Sequence, residues 1–171
     1  MKKVITGIAA AFAAVLIMAS CTISYKLNAS SIDYNIVKTI TIEPFANRAS
    51  YQWAPMASMF NNSLSEKYNS QTKLRQTKRD GDLQISGEIT AYDQTNKSIS
   101  SDGYSAMVQL KMTVKVTFKN NTRHDDDFEK SFTSSREYDS SQQLAAVQEE
   151  LVQQMIDDIV DQIFNATVAK W

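Results

Sequence analysis

The sequence is poor in the residues that most often carry chemistry. One cysteine and one histidine in 171 positions leave no material for an internal disulfide, a zinc cluster or a Cys/His nucleophilic pair. Four glycines and two prolines exclude collagen-like and linker-dominated chains, and charged residues at 22% lie near the globular average. Neither charge sign dominates: 18 Lys and Arg face 19 Asp and Glu, a net charge of −1, so bulk nucleic-acid binding has no electrostatic basis. P-loop, Gly-x-Gly-x-x-Gly, Gly-x-Ser-x-Gly and His-Glu-x-x-His motifs are missing. These absences argue against an enzyme. Length and 43% apolar content suit one ordinary domain.

What is present begins with an export signal. Met1-Lys2-Lys3 is a short basic region, and Val4 to Met18 is apolar or Ala except at Thr6 and Gly7. A spanning helix needs about 20 such residues, so the run reads as the hydrophobic part of a signal peptide. It ends in Met18-Ala19-Ser20-Cys21, an arrangement that resembles a bacterial lipobox, with Met18 where Leu is usual. Cys21 is then expected to carry a covalent lipid and to be the first mature residue. That fate explains an unpaired cysteine in an exported protein. Two or three acyl chains, at roughly 0.8 kcal/mol per buried methylene, hold such a protein at a membrane. Removal of 1–20 takes Lys2 and Lys3 away and leaves a mildly acidic chain. Thr22 rather than Asp follows the cysteine, and no acidic run comes after it. Both features point to the outer membrane, on its periplasmic side. The expected organisation is signal peptide 1–20, lipid-anchored segment 21–37 and a single α+β domain 38–171.

Within that domain, Lys38 to Glu43 alternates apolar and polar side chains up to Pro44 and predicts a strand. Trp53, Met56, Met59, Phe60, Leu64 and Tyr68 recur at spacings of three and four, one face of a helix ending near Ser70, with Pro55 in its first turn. A short segment, Leu74 to Thr77, leads through the turn signal Arg79-Asp80-Gly81-Asp82 into a half-buried strand, Leu83 to Tyr92. After Asp102-Gly103, the residues Val108, Leu110, Met112, Val114, Val116 and Phe118 face one side of a strand and Gln109, Lys111, Thr113, Lys115, Thr117 and Lys119 the other. Asn120-Asn121 opens a hairpin, and Phe128 to Ser134 returns. A last helix is expected from near Ser140-Ser141, with apolar pairs at 151–152, 155–156, 159–160 and 163–164. A four-residue repeat drifts by about 40° each time on a helix of 3.6 residues per turn. Two readings follow: a long core helix over a twisted sheet, or one whose C-terminal part, with Phe164 and Trp171, meets a partner. The order β-α-β-β-β-β-α packs most economically as a two-layer α+β sandwich, both helices on one face of a mainly antiparallel sheet of four to five strands. The other sheet face is then polar and uncovered.

Candidate sites are few. His124 with Asp125, Asp126 and Asp127 reads as a solvated turn rather than a metal site, because neighbouring carboxylates diverge and no EF-type loop spacing is present. No metal and no cofactor, apart from the lipid on Cys21, is expected. Lys111, Lys115 and Lys119 repeat every fourth residue along one strand, about 13 Å between neighbours at 3.3 Å per residue. Such a row suits phosphates, or it simply solubilises a wet face. Lys73, Arg75, Lys78 and Arg79 form a second basic stretch, read as a solvated segment.

Several blocks share a resemblance. Cys21-Thr22-Ile23-Ser24-Tyr25-Lys26-Leu27, Ser31-Ile32-Asp33-Tyr34, Thr39 to Asn47, Gly81 to Thr90, the Phe128 strand and Asp161 to Trp171 together resemble the LptE-type lipopolysaccharide-assembly lipoproteins over nearly the whole mature chain. The resemblance implies an outer-membrane lipoprotein that plugs an LptD-like β-barrel, supports its assembly and helps place lipopolysaccharide in the outer leaflet. Lipid A phosphates would favour the lysine row. The alternative is a ring-forming secretion or envelope-structure lipoprotein resembling the CsgG and FlgO groups, which also pair an early strand ending in Pro-Phe with a following helix.

Overall fold

The computed structural model describes residues 32–99 and 105–168. Cys21 and Trp171, the expected lipidation site and C-terminal contact, lie outside these residues.

The chain runs through β1 (Thr39–Ile42), β2 (Ala46–Asn47), α1 (Met56–Gln71), β3 (Arg75–Gln76), β4 (Leu83–Ile99), β5 (Ser105–Asn120), a 3-10 turn (His124–Asp126), β6 (Phe128–Asp139) and α2 (Leu144–Thr167). The sheet order is β3-β1-β4-β5-β6, with β2 also paired to β4. Both helices pack on one face of this sheet, the expected α+β arrangement. The sheet is mixed, however. β4, β5 and β6 are antiparallel neighbours, whereas β1 and β2 run parallel to β4, and β3 parallel to β1.

The core lies between sheet and helices. Val108, Leu110, Met112, Val114, Val116 and Phe118 of β5, Leu83, Ile85 and Ile89 of β4 and Ile40 of β1 meet Met56, Phe60, Leu64 and Tyr68 of α1 and the apolar pairs of α2. The drift of those pairs is visible in burial. Val152 is buried beside half-buried Leu151, both members are buried at 155–156 and 159–160, and Ile163 is buried beside half-buried Phe164. The stripe therefore crosses the helix obliquely while its middle stays on the sheet. One turn before Val152 it includes Gln148, buried, whose amide donates to the Tyr92 hydroxyl at 3.0 Å. At the other end the hydroxyls of Tyr68 and Thr167 hydrogen-bond inside the core, and burial pushes the Tyr68 phenol far above its usual range against that bond.

A clasp made by Asp82 and Thr39 sets the parallel seam. Asp82 Oδ2 accepts from the backbone N–H of Lys38 at 2.8 Å, from that of Thr39 at 2.9 Å and from the Thr39 hydroxyl at 2.8 Å, while Thr39 Oγ1 accepts from Asp82 N–H at 2.9 Å. Beside it Gly81 donates to Thr41 Oγ1 at 3.0 Å, and a β-carbon there would lie 2.6 Å from the Thr41 nitrogen. Asp80 turns the chain with φ 55°. Gly87 is needed for another close approach: an added β-carbon would sit 2.1 Å from the Lys115 carbonyl oxygen and 2.5 Å from the buried Phe45 ring.

The last helix begins later than expected. β6 continues to Asp139, whose carboxylate takes the Ser141 N–H at 2.8 Å. Ser140 and Ser141 are thus spent in a turn, and α2 starts at Leu144 after Gln143, with no side-chain cap.

Candidate functional site

The uncovered face of the sheet is built from the polar alternates of three strands. Across it the register sets Gln84 beside Lys119, Ser86 beside Thr117 and Glu129, Glu88 beside Lys115 and Ser131, Ala91 beside Thr113 and Thr133, Asp93 beside Lys111 and Ser135, and Thr95 beside Gln109 and Glu137. A register shift between Ile89 and Ala91 switches β4 from even to odd positions on this face, as a bulge does. Ala91 is the one apolar side chain in the array. The hydroxyls of Thr113 and Thr133 lie 3.1 Å apart, and the Gln109 amide donates to Ser135 Oγ at 3.4 Å. The result is a wet, hydrogen-bonding surface.

The lysine row stands on this face as expected, and all three members are exposed. Their surroundings differ. Lys115 is ion-paired to Glu129 at 2.7 Å. That hydrogen bond and charge hold the Glu129 carboxyl below its usual range and push the Lys115 ammonium above its own. Lys111 stands opposite Asp93 in the register but is in no ion pair among the described residues. Lys119 contributes to lowering the Asp127 carboxyl, after the Asn120 N–H and His124. Acids thus interleave with the row. Alternation within one strand could reveal the lysines, while Glu88, Asp93 and Glu129 come from other strands and become visible only with the register.

The His124 loop is engaged with itself. Asp126 pairs with Arg123 and accepts from the Asn120 amide at 3.0 Å, and Asp127 accepts from the Asn120 N–H at 2.7 Å and faces His124 at 3.3 Å. Asn120 and Asn121, expected simply to open the turn, also lock it: Asn121 donates to the Gly81 carbonyl at 2.7 Å, fastening the hairpin to the β1–β4 clasp.

Phe164 makes its contacts within the molecule. Its ring is edge-on to Tyr68 at 5.3 Å between centroids, with Lys67 Nζ 5.4 Å from its centre. Lys67 also pairs with Asp161 at 2.7 Å. The ring is half-buried and serves the α1–α2 junction. Between the outer sides of the two helices runs a polar groove of about 430 Å³, crossed by that ion pair. Among the described residues no helix is long and apolar enough to cross a membrane.

The family model for LptE, described as lipopolysaccharide-assembly, matches residues 37–167. The chain belongs to the LptE family. The match covers β1 through α2, so the mixed sheet, its helix layer and its open polar face are all parts of the LptE domain. No curated protein matches the chain. Solved structures share the fold at low identity. A protein of Xanthomonas campestris is similar at TM-score 0.56 and 12% identity, covering 78% of this chain and 84% of its own. A hypothetical protein of Chlamydia trachomatis gives 0.53 and 12%, covering 78% and 99%. A minor lipoprotein of Acinetobacter baumannii gives 0.50 and 16%, covering 75% and 90%. The family places the chain in lipopolysaccharide assembly.

Proposed function

We propose that this LptE-family chain is an outer-membrane lipoprotein, acylated on Cys21 and facing the periplasm, that plugs an LptD-like β-barrel, supports the barrel's assembly and helps lipopolysaccharide reach the outer leaflet. The observation that carries the reading is the three-stranded polar face that no element among the described residues covers. A water-filled barrel lumen is lined by polar side chains. A plug for it needs hydroxyls, amides and balanced charges on its outside, and the Thr113–Thr133, Gln109–Ser135 and Lys115–Glu129 contacts provide that chemistry. No catalytic role and no cofactor enter this reading.

The lysine row is the proposed contact for lipid A phosphates, which accept charge-assisted hydrogen bonds from ammonium groups. Lys111 and Lys119 engage directly, and Lys115 exchanges Glu129 for the phosphate. Tagging the C-terminus in place of Trp171 and purifying from solubilised membranes tests the partner. Recovery of a large heat-modifiable barrel at one-to-one ratio supports the plug, whereas a homo-oligomer without a barrel supports the ring-forming alternative. The double variant Lys111→Glu/Lys115→Glu should bind lipopolysaccharide more weakly than the parent, and unchanged affinity removes the row as a site.

A further inference from the structure

We propose that the β3 edge of the sheet is a docking surface for an anionic phospholipid bilayer, which orients the tethered domain at the leaflet that holds its lipid anchor. The inference rests on the lipoprotein reading above for its tether. Residues 73–82 contain Lys73, Arg75, Lys78 and Arg79, all exposed, against Asp80 and Asp82. The fold adds a fifth cation: β3 pairs with β1, Arg75 N–H donates to the Lys38 carbonyl at 2.9 Å, and Lys38 is exposed as well. Asp82 stays ionised beside Lys38, whose ammonium helps to lower its carboxyl, so five cations at this edge stand against the two carboxylates of Asp80 and Asp82.

What singles out the edge is the gathering of five cations outside ion pairs at one place, whereas Lys111, also in no ion pair among the described residues, stands opposite Asp93. Lys67, Lys115, Arg123 and Arg136 are each committed to a carboxylate. None of Lys38, Lys73, Arg75, Lys78 and Arg79 is ion-paired among the described residues. Clusters of this kind are attracted to anionic lipid headgroups.

Position and charge polarity argue for a membrane. The edge lies beside the start of β1, where the chain arrives from residue 32, and eleven residues back to Cys21 reach at most about 40 Å. A lipid at Cys21 therefore keeps the edge within reach of the same leaflet. On the far side of the molecule α2 packs over β6 and β5 and carries Glu149, Glu150 and Asp157 outside any ion pair among the described residues, with Asp158 and Asp161 paired to Arg136 and Lys67 and no Lys or Arg between Leu144 and Thr167. An anionic surface attracts the β3 side and repels the α2 side, which fixes one orientation.

The test uses the mature chain from residue 21 with Cys21→Ser, so that charge alone drives binding, and co-sedimentation with vesicles of phosphatidylglycerol and phosphatidylethanolamine or of phosphatidylcholine. The parent should bind the anionic vesicles in a salt-sensitive manner and ignore the neutral ones. Lys73→Gln/Arg75→Gln/Lys78→Gln/Arg79→Gln should lower that binding by roughly three orders of magnitude. The set without Arg75, which leaves β3 untouched, should lower it at least about tenfold. Lys111→Gln/Lys115→Gln/Lys119→Gln should leave it within about threefold, since that row faces elsewhere. The proposal is overturned if the parent ignores anionic vesicles, if the edge variants bind like the parent, if the row variant loses as much, or if the edge variants lose only lipopolysaccharide binding. Vesicle binding needs no barrel, so barrel co-purification and this assay fail independently.

Discussion

At the scale of single residues, two small side chains carry much of the specification. Gly87 lies in β4 where the Lys115 carbonyl and the Phe45 ring close over its α-carbon. Phe45 is buried and packs on Phe60 at 5.0 Å, so the ring cannot retreat without opening the core. Gly87→Ala should destabilise the domain by about 3 kcal/mol, the upper range of overpacking, measurable by urea denaturation. Asp82 is the second. The Lys38 N–H, then the Thr39 hydroxyl and N–H, hold its carboxyl below the usual range against the opposing effect of burial. A carboxyl with a depressed folded pKa contributes stability at pH values above its unfolded pKa and loses it as pH falls through the folded one. Stability should therefore decline below about pH 4, and Asp82→Asn should flatten that part of the profile while lowering stability at pH 7 by about 2 kcal/mol. Thermal unfolding of both proteins across pH 2–7 checks the two statements together. The aspartate was legible as a turn residue. Its role as a clasp was not, because its partners are more than 40 positions away.

At the scale of elements, β6 is the long free edge of the sheet, twelve residues with one neighbour. Such edges invite pairing with another chain. Here α2 reaches over it with Gln162, which donates to the Thr133 carbonyl at 3.3 Å, and β6's own Arg136 donates to the Ser135 carbonyl at 2.9 Å. Arg136 is itself held by Asp158 at 2.6 Å and Gln154 at 3.0 Å. Burial works to raise the Asp158 carboxyl, but the Ser134 hydroxyl and Arg136 outweigh it and the carboxyl is lowered. Removing both covers with Gln162→Ala/Arg136→Ala should produce concentration-dependent self-association in sedimentation velocity, whereas the parent edge stays closed. This arrangement also decides which strands carry a clean alternation. Val108 to Phe118 alternates cleanly because one side meets the core and the other meets water. β6 beyond Ser134 does not, because its helix-facing Ser134 and Arg136 meet polar groups of α2. β4 beyond Tyr92 fails for a different reason. Asp93 to Lys97 are all exposed, as the parallel strands beside β4 end at Ile89 and no burial imposes a pattern. β2 and β3, two residues each, are too short for any periodicity, so the mixed character of the sheet could not be read.

At the scale of the whole molecule, the sandwich has two unlike ends. One gathers the start of β1, the Asp82 clasp, the His124 turn and the end of α2. Ile32, Val37, Leu83, Asn120, Arg123 and Thr167 line a cleft of about 130 Å³ there. The other end carries the upper strands, with the exposed Tyr51 stacked on Tyr92 at 5.6 Å. The polar open face and the division into two layers were legible from alternation and helix periodicity alone. The interleaving of acids with the lysine row was not, since it depends on which strands become neighbours. It has a measurable consequence: lipopolysaccharide binding through this face should strengthen in Glu129→Gln, which frees Lys115 from its only ion pair among the described residues, and isothermal titration would register the gain.

The parallel seam also imposes a sequence of events in time. β4, β5 and β6 join neighbours along the chain, while β1 must find β4 across α1 and some 40 intervening positions. Closing so large a loop costs more conformational entropy than closing a hairpin. The three-stranded meander therefore zips first and the amino-terminal strand docks last. A folding polypeptide spends that interval with the Leu83–Ile85 edge of β4 without its β1 partner, and amides of the meander should gain protection from hydrogen exchange before those of Thr39 to Ile42.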